Sequence, residues 1–223
     1  MVIEKNNPRQ NRSDRLSKPL QGNTSSHSLD FIMAIEGIIK IAKPDALSSG
    51  SKNATVQTLS IIPLLFSAFR CFVIECAYMP RPHKPESGLL RKLTEPNDFE
   101  EVLNWFKTPD DLRKDGTLLL EIRNEIIHPS TLPTGTPNNW PEYLQEIKNK
   151  GLLEETGREN SNFRMLHQIC SYRLIEWACE TIKNVVLQVV KCYSDQPYHL
   201  STIETLAQNF VHLAKRAKMG EKE

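Results

Sequence analysis

Apolar side chains recur along this chain at intervals of three and four, the period of an α-helix lying on a core, and no segment sustains the two-residue alternation of a half-buried strand. Leu29, Phe31, Ile32, Ile35, Ile38, Ile39 and Ala42 predict a first helix over 29–43, capped from Ser28 or Asp30 and ended by Pro44. Residues 45–53 read as a polar loop. The most apolar run, 55–79, predicts a long core helix, and the proline-rich stretch after it predicts extended chain. Phe99, Val102, Leu103 and Phe106 predict a short helix over 98–106. Pro109 and the Asp115-Gly116 pair read as punctuation before a helix that carries Leu118, Leu119, Ile122 and Ile126 on one side and stops at Pro129. Further helices are expected over 141–150, over 161–193, where Phe163 to Val190 form a continuous stripe, and over 201–217.

These elements predict an all-α helical bundle built around the two long helices, 55–79 and 161–193, with the shorter helices packed on them. Residues 1–28 carry almost no apolar side chains and read as a flexible tail, 29–217 as the helical domain, and 218–223 as a second tail. Within the domain, 129–160 reads as an irregular loop and short helix. An apolar content of 39% with 25% charged residues is ordinary for a soluble domain. Pro63, Arg70 and Glu75 inside the most apolar run argue against a membrane span, because charges in a lone span are expensive. Arg70 and Glu75 are instead expected at a rim, an interface or a site.

Composition narrows the chemistry further. A net charge of +1 provides no global attraction to nucleic acid, so an RNA site would have to be a local patch. Five cysteines, Cys71, Cys76, Cys170, Cys179 and Cys192, stand apart in apolar helices without Cys-x-x-Cys spacing. They read as buried thiols of a cytoplasmic protein, with no zinc site and no cysteine nucleophile.

The stretch that carries chemistry is Arg123-Asn124-Glu125-Ile126-Ile127-His128-Pro129. Asn124 and His128 are four apart and share a helical face, and Pro129 leaves His128 at the final turn. Arg123 is about 140° from His128 around the axis, a gap that a guanidinium on a long stem covers. An imidazole that moves a proton near neutral pH, beside a permanently charged planar guanidinium, suits attack at a phosphodiester and requires no metal or other cofactor. Arg followed five residues later by His is expected roughly 0.3 times by chance in this composition, and with Asn after the Arg about 0.02 times.

Arg123-Asn124-x-x-x-His128 resembles the Arg-polar-x-x-x-His motif of HEPN domains, all-helical proteins many of which are metal-independent ribonucleases. The resemblance implies a homodimer whose two motifs face each other across a shared cleft, with RNA as substrate. Arg123, Asn124 and His128 would be catalytic, leaving a 2′,3′-cyclic phosphate and a 5′-hydroxyl. Ser130, Thr131 and Trp140 in the following loop, and Arg70 and Glu75 on the core helix, are candidate substrate contacts. It also implies a toxin or antiviral defence role with an antitoxin or other regulator as partner. Family members paired with a nucleotidyltransferase often carry a tyrosine two residues after the histidine; here Ser130 stands there. The alternative is a non-catalytic HEPN-like scaffold, dimerisation or RNA-binding module.

Overall fold

The structure, a computed structural model, describes residues 26–49, 54–78, 96–127, 141–153, 171–193 and 197–218. They form an all-α bundle: α1 (His27–Ser49), α2 (Ala54–Tyr78), α3 (Pro96–Trp105), α4 (Asp110–Ile127), α5 (Glu142–Asn149), α6 (Tyr172–Cys192) and α7 (Pro197–Ala217). Helices α1, α2, α6 and α7 pack in a ring, each against the next, with the α1–α2 pair the most extensive. Helix α4 lies against both α2 and α6, and it carries α3 and α5 on its flanks. Four long helices therefore make the core where the hydrophobic pattern singled out two.

Burial explains the arrangement. Ile61, Ile62, Leu65, Phe69 and Phe72 of α2 and Leu174, Ile182, Val185 and Val189 of α6 are fully buried. Each such side chain stabilises the fold by about 1.5–3 kcal/mol relative to leaving it exposed. Aromatic contacts join the helices: Phe99 of α3 meets Phe66 and Phe69 of α2 at centroid distances of 5.8 and 6.0 Å, and Phe72 meets Phe210 of α7 edge-on at 5.5 Å. No helix among the described residues is long and apolar enough to cross a membrane.

Several expected boundaries are corrected. Helix α1 continues through Pro44 to Ser49. Proline removes one backbone donor, but this helix is held by its packing, with Ile39 and Ala42 buried and Lys43 Nζ donating to the Arg216 carbonyl of α7 at 3.0 Å. Its cap is Ser26, whose Oγ accepts from the Leu29 amide at 3.3 Å. Residues 1–25 of the expected tail lie outside the described residues, whereas His27 and Ser28 are helical. Helix α6 starts at Tyr172, since Ser171 has an extended backbone (φ −95°, ψ 163°) and its hydroxyl donates to the Leu152 carbonyl at 2.7 Å. The expected start at 161 falls outside the described residues. Helix α7 begins at Pro197, four residues early, because a proline at the first helical position sacrifices only an amide that would have no partner.

The Asp115-Gly116 pair does not interrupt α4; it lies inside it. A Cβ at Gly116 would stand 3.0 Å from Leu103 Cδ1 and 3.6 Å from Phe99 Cε1, so this glycine lets α3 approach α4 closely. Helix α3 ends in a Schellman motif, the Thr108 amide donating to Leu103 O at 3.0 Å and the Lys107 amide to Asn104 O at 2.8 Å. The left-handed residue of that motif is Lys107, at φ 52°, where glycine is usual and an L side chain costs about 1–2 kcal/mol.

Two outcomes follow from this packing. Gly116→Val should lose about 1–3 kcal/mol in denaturant titration through overpacking against Leu103 and Phe99. Equal stability would show that α3 and α4 have slack there. Glu75→Ala should cost about 1–2 kcal/mol, because Glu75 accepts from the Ser28 amide (3.1 Å), the Ser28 hydroxyl (2.6 Å) and the Ser26 hydroxyl (3.0 Å) at the start of α1.

Candidate functional site

Helix α4 positions the candidate residues. Asp110 and Asp111 in its first turn suit the positive end of the helix dipole, and the Arg113 guanidinium holds that turn through Asp110 Oδ1 at 2.7 Å and Asn104 Oδ1. Leu118, Leu119, Leu120 and Ile122 are buried, and Ile126 is half-buried against the same core. With that face against α2 and α6, Arg123 and Asn124 fall at the boundary of the core, both half-buried.

Arg123 Nη1 donates to Asn124 Oδ1 at 2.7 Å, so the neighbouring carboxamide orients the guanidinium. Burial holds the Arg123 pKa below its ordinary value, and the nearby Arg70 guanidinium lowers it further. Arg70 reaches this position from α2 and is exposed. Among the described residues, no carboxylate forms an ion pair with either arginine. A second guanidinium near enough to lower the Arg123 pKa makes the region around both favourable for an anion, and planar guanidinium forks match phosphate oxygens.

The other flank of α4 has the opposite charge. A cleft of about 620 Å³ opens between α4 and α5, lined among the described residues by Glu100, Glu121, Glu125, Glu142 and Glu146 with Lys114 as the one cation. Asn124 lines this cleft while its Oδ1 serves Arg123, so it stands where the two fields meet. Burial, then Glu146 and Glu142, push the Glu121 carboxyl above the ordinary glutamate range. Lys150 Nζ pairs with Asp115 Oδ1 at 2.7 Å and fixes α5 along α4. The carboxylates of this cleft disfavour an anion there. Pairs of glutamates four apart, Glu121 with Glu125 and Glu142 with Glu146, were a signal in the chain that reasoning about Arg and His alone passed over.

The structure thus brings together Arg123, Asn124 and Arg70. It places Glu75 elsewhere, with both carboxylate oxygens engaged by Ser26 and Ser28. His128, Ser130, Thr131 and Trp140 lie outside the described residues. Among the cysteines, Cys76 and Cys179 are buried, and burial, then Glu176 and Glu180, push the Cys179 thiol up to about 12. Cys71 is half-buried, and Cys192, expected to be buried, is exposed at the end of α6, where its Sγ donates to the Phe106 carbonyl. Among the described residues, no group of three His, Cys, Asp or Glu side chains is placed to hold a metal ion. No family model, no curated protein and no solved structure matches the chain.

The raised Glu121 pKa has a pH signature. The folded chain holds this proton more tightly than the unfolded chain, so the unfavourable charge is absent below the ordinary glutamate range and sets in as pH rises through and above it. Glu121→Gln should therefore raise the melting temperature at pH 7 and bring no gain at pH 3.5. An unchanged difference across that range would mean that the cleft does not strain this carboxyl.

Proposed function

We propose that this chain is a HEPN-like, metal-independent endoribonuclease, and the observation that carries the reading is the hydrogen bond by which Asn124 orients the half-buried Arg123 guanidinium, with the charge of Arg70 on the neighbouring helix acting on it. His128, one residue past the end of α4, takes the proton of a ribose 2′-hydroxyl as that oxygen attacks the adjacent phosphorus. The bond to the 5′ oxygen breaks, and the departing oxygen gains a proton from imidazolium or water. The products are a 2′,3′-cyclic phosphate and a 5′-hydroxyl. Arg123 stabilises the charge that builds on the phosphoryl oxygens, and Arg70 holds the same or the neighbouring phosphate. Asn124 keeps the Arg123 fork in register.

In this reading the active form is a cytoplasmic homodimer with two facing motifs, and a toxin or defence nuclease held by an antitoxin or regulator is the matching biological setting. The family resemblance carries this part, together with the absence of any need for a cofactor. A non-catalytic HEPN-like scaffold is the second reading. What favours it is the acidic flank of α4, which confines any RNA contact to one side of the helix.

Labelled single-stranded RNA in excess EDTA tests the proposal. Wild type should leave cyclic phosphate ends. His128→Ala and Arg123→Ala should each lower the rate by about 10²–10³ with the helical circular dichroism unchanged. Arg70→Ala should weaken RNA binding and spare the cleavage chemistry at saturation. A folded, dimeric wild type that binds RNA through Arg70 without cleaving it would replace the nuclease by the scaffold.

A further inference from the structure

Helix α1 is apolar on two faces. Its inner face, Ile32, Ile35, Ile39 and Ala42, is buried against the bundle, where α1 packs on α2 and α7. Its outer face carries Leu29, Met33, Ala34, Gly37, Ile41 and Pro44, all exposed. A surface helix ordinarily sets charged and polar residues opposite its buried stripe, and a helix that is apolar all round is one covered on both sides. Met33 and Ile41 are 63% and 65% exposed, more than any other large apolar side chain among the described residues. Apolar residues scattered singly on a surface need no explanation, but Leu29, Met33, Gly37 and Ile41 stand four apart and form one ridge.

Gly37 interrupts that ridge. A Cβ there would meet nothing within 4 Å, so this glycine, unlike Gly116, serves no close approach within the chain. Glycine in a helix interior is less stable than alanine, and what it offers in return is a gap that a group from outside can enter. The charged residues of the same face are Asp30 near one end and Lys40 near the other, about 15 Å apart along the axis. Asp30 has His27 Nδ1 at 3.7 Å and its side chain stays 64% exposed.

Opposite charges at opposite ends make the face complementary to itself. An antiparallel second copy sets Asp30 level with the partner's Lys40 and Lys40 level with the partner's Asp30, whereas a parallel copy aligns like charges. The register that pairs position 30 with 40 also pairs 33 with 37 and 29 with 41. Met33 of each copy then lies over the gap at the other's Gly37, and Leu29 comes level with Ile41.

We propose that the outer face of α1 is an antiparallel, two-fold interface with a second copy of this chain. The contact goes beyond the motif pairing of the ribonuclease reading and is separate from it, since the motif helix α4 packs on α2 and α6 whereas α1 packs on α2 and α7. About 22 Å of a single helix face offers less than the roughly 800 Å² per partner of a standard interface, so the pairing is reversible, with dissociation in the micromolar range.

Light scattering of the full chain across micromolar concentrations tests this. Ile41→Glu, at an exposed position, should halve the mass of the assembly with the helical circular dichroism unchanged: to a dimer if the motif pairing also forms, and to a monomer if it does not. Gly37→Gln should weaken the pairing about tenfold while the melting temperature stays level or rises, because the new side chain fills the gap yet favours the helix. Asp30→Lys and Lys40→Asp should each weaken it about tenfold; the double variant should regain it, and the two single variants mixed should pair with each other. A wild type that stays monomeric throughout, a mass that Ile41→Glu leaves unchanged, or a double variant as weak as the single ones would each overturn the proposal. The second of these, with a dimer present, would assign the pairing to another face and leave the ribonuclease reading standing.

Discussion

The arrangement of charged groups in this protein depends on one interaction, the burial of the Leu118, Leu119, Ile122 face of α4 against α2 and α6. Apolar burial is not directional, but it fixes how a helix is rotated about its axis, and at about 100° per residue that rotation decides where every other side chain goes. With this face inward, Arg123 meets Arg70 on one side and Glu121 meets the α5 glutamates on the other. A rotation of one residue would carry Arg123 away from its neighbour. The close α3–α4 approach at Gly116 and the ion pair between Lys150 and Asp115 reinforce the same orientation from the two flanks.

The outcome is a helix whose long sides carry opposite fields. Like charges gathered on each side cost stability, through desolvation and repulsion that depress the Arg123 pKa and raise that of Glu121. A chain selected for stability alone would place a glutamate beside Arg123. Among the described residues, Glu121 and Glu125 of α4 instead line the cleft beside α5. Like charges gathered in this way are enriched at functional surfaces. On the arginine side it matches a phosphodiester. On the glutamate side it discourages any anion, so the two long sides of α4 differ in the charge of the ligand they would accept.

Much of the fold was legible in the chain because helical burial leaves a local record. The inward stripes of α1, α3 and α4 matched buried residues at most positions: Ile32, Ile35 and Ile39, then Phe99, Val102, Leu103 and Phe106, then Leu118, Leu119 and Ile122, while Leu29 of the α1 stripe is exposed. Boundaries were less legible. Pro44 and Gly116 are breakers by local propensity, yet both lie inside helices, since tertiary packing outweighs a single lost donor or a glycine. Ser171 shows the converse, a helix start set by a bond to Leu152 nineteen residues away.

For the candidate site, the chain by itself determined that Arg123 and Asn124 sit together on the motif helix and that this helix has an apolar face, because neighbours within one helix are fixed by its period. It could not determine which residues of other helices join them. Arg70 was one charged residue in a core helix, with Glu75 five positions later as an equal candidate. Only the packing of α2 on α4 and α1 separated the two, sending Arg70 to Arg123 and Glu75 to the start of α1. The acidic cleft between α4 and α5 is likewise a product of tertiary structure. It is assembled from side chains on separate helices, and separations along the chain carry no record of the three-dimensional contact.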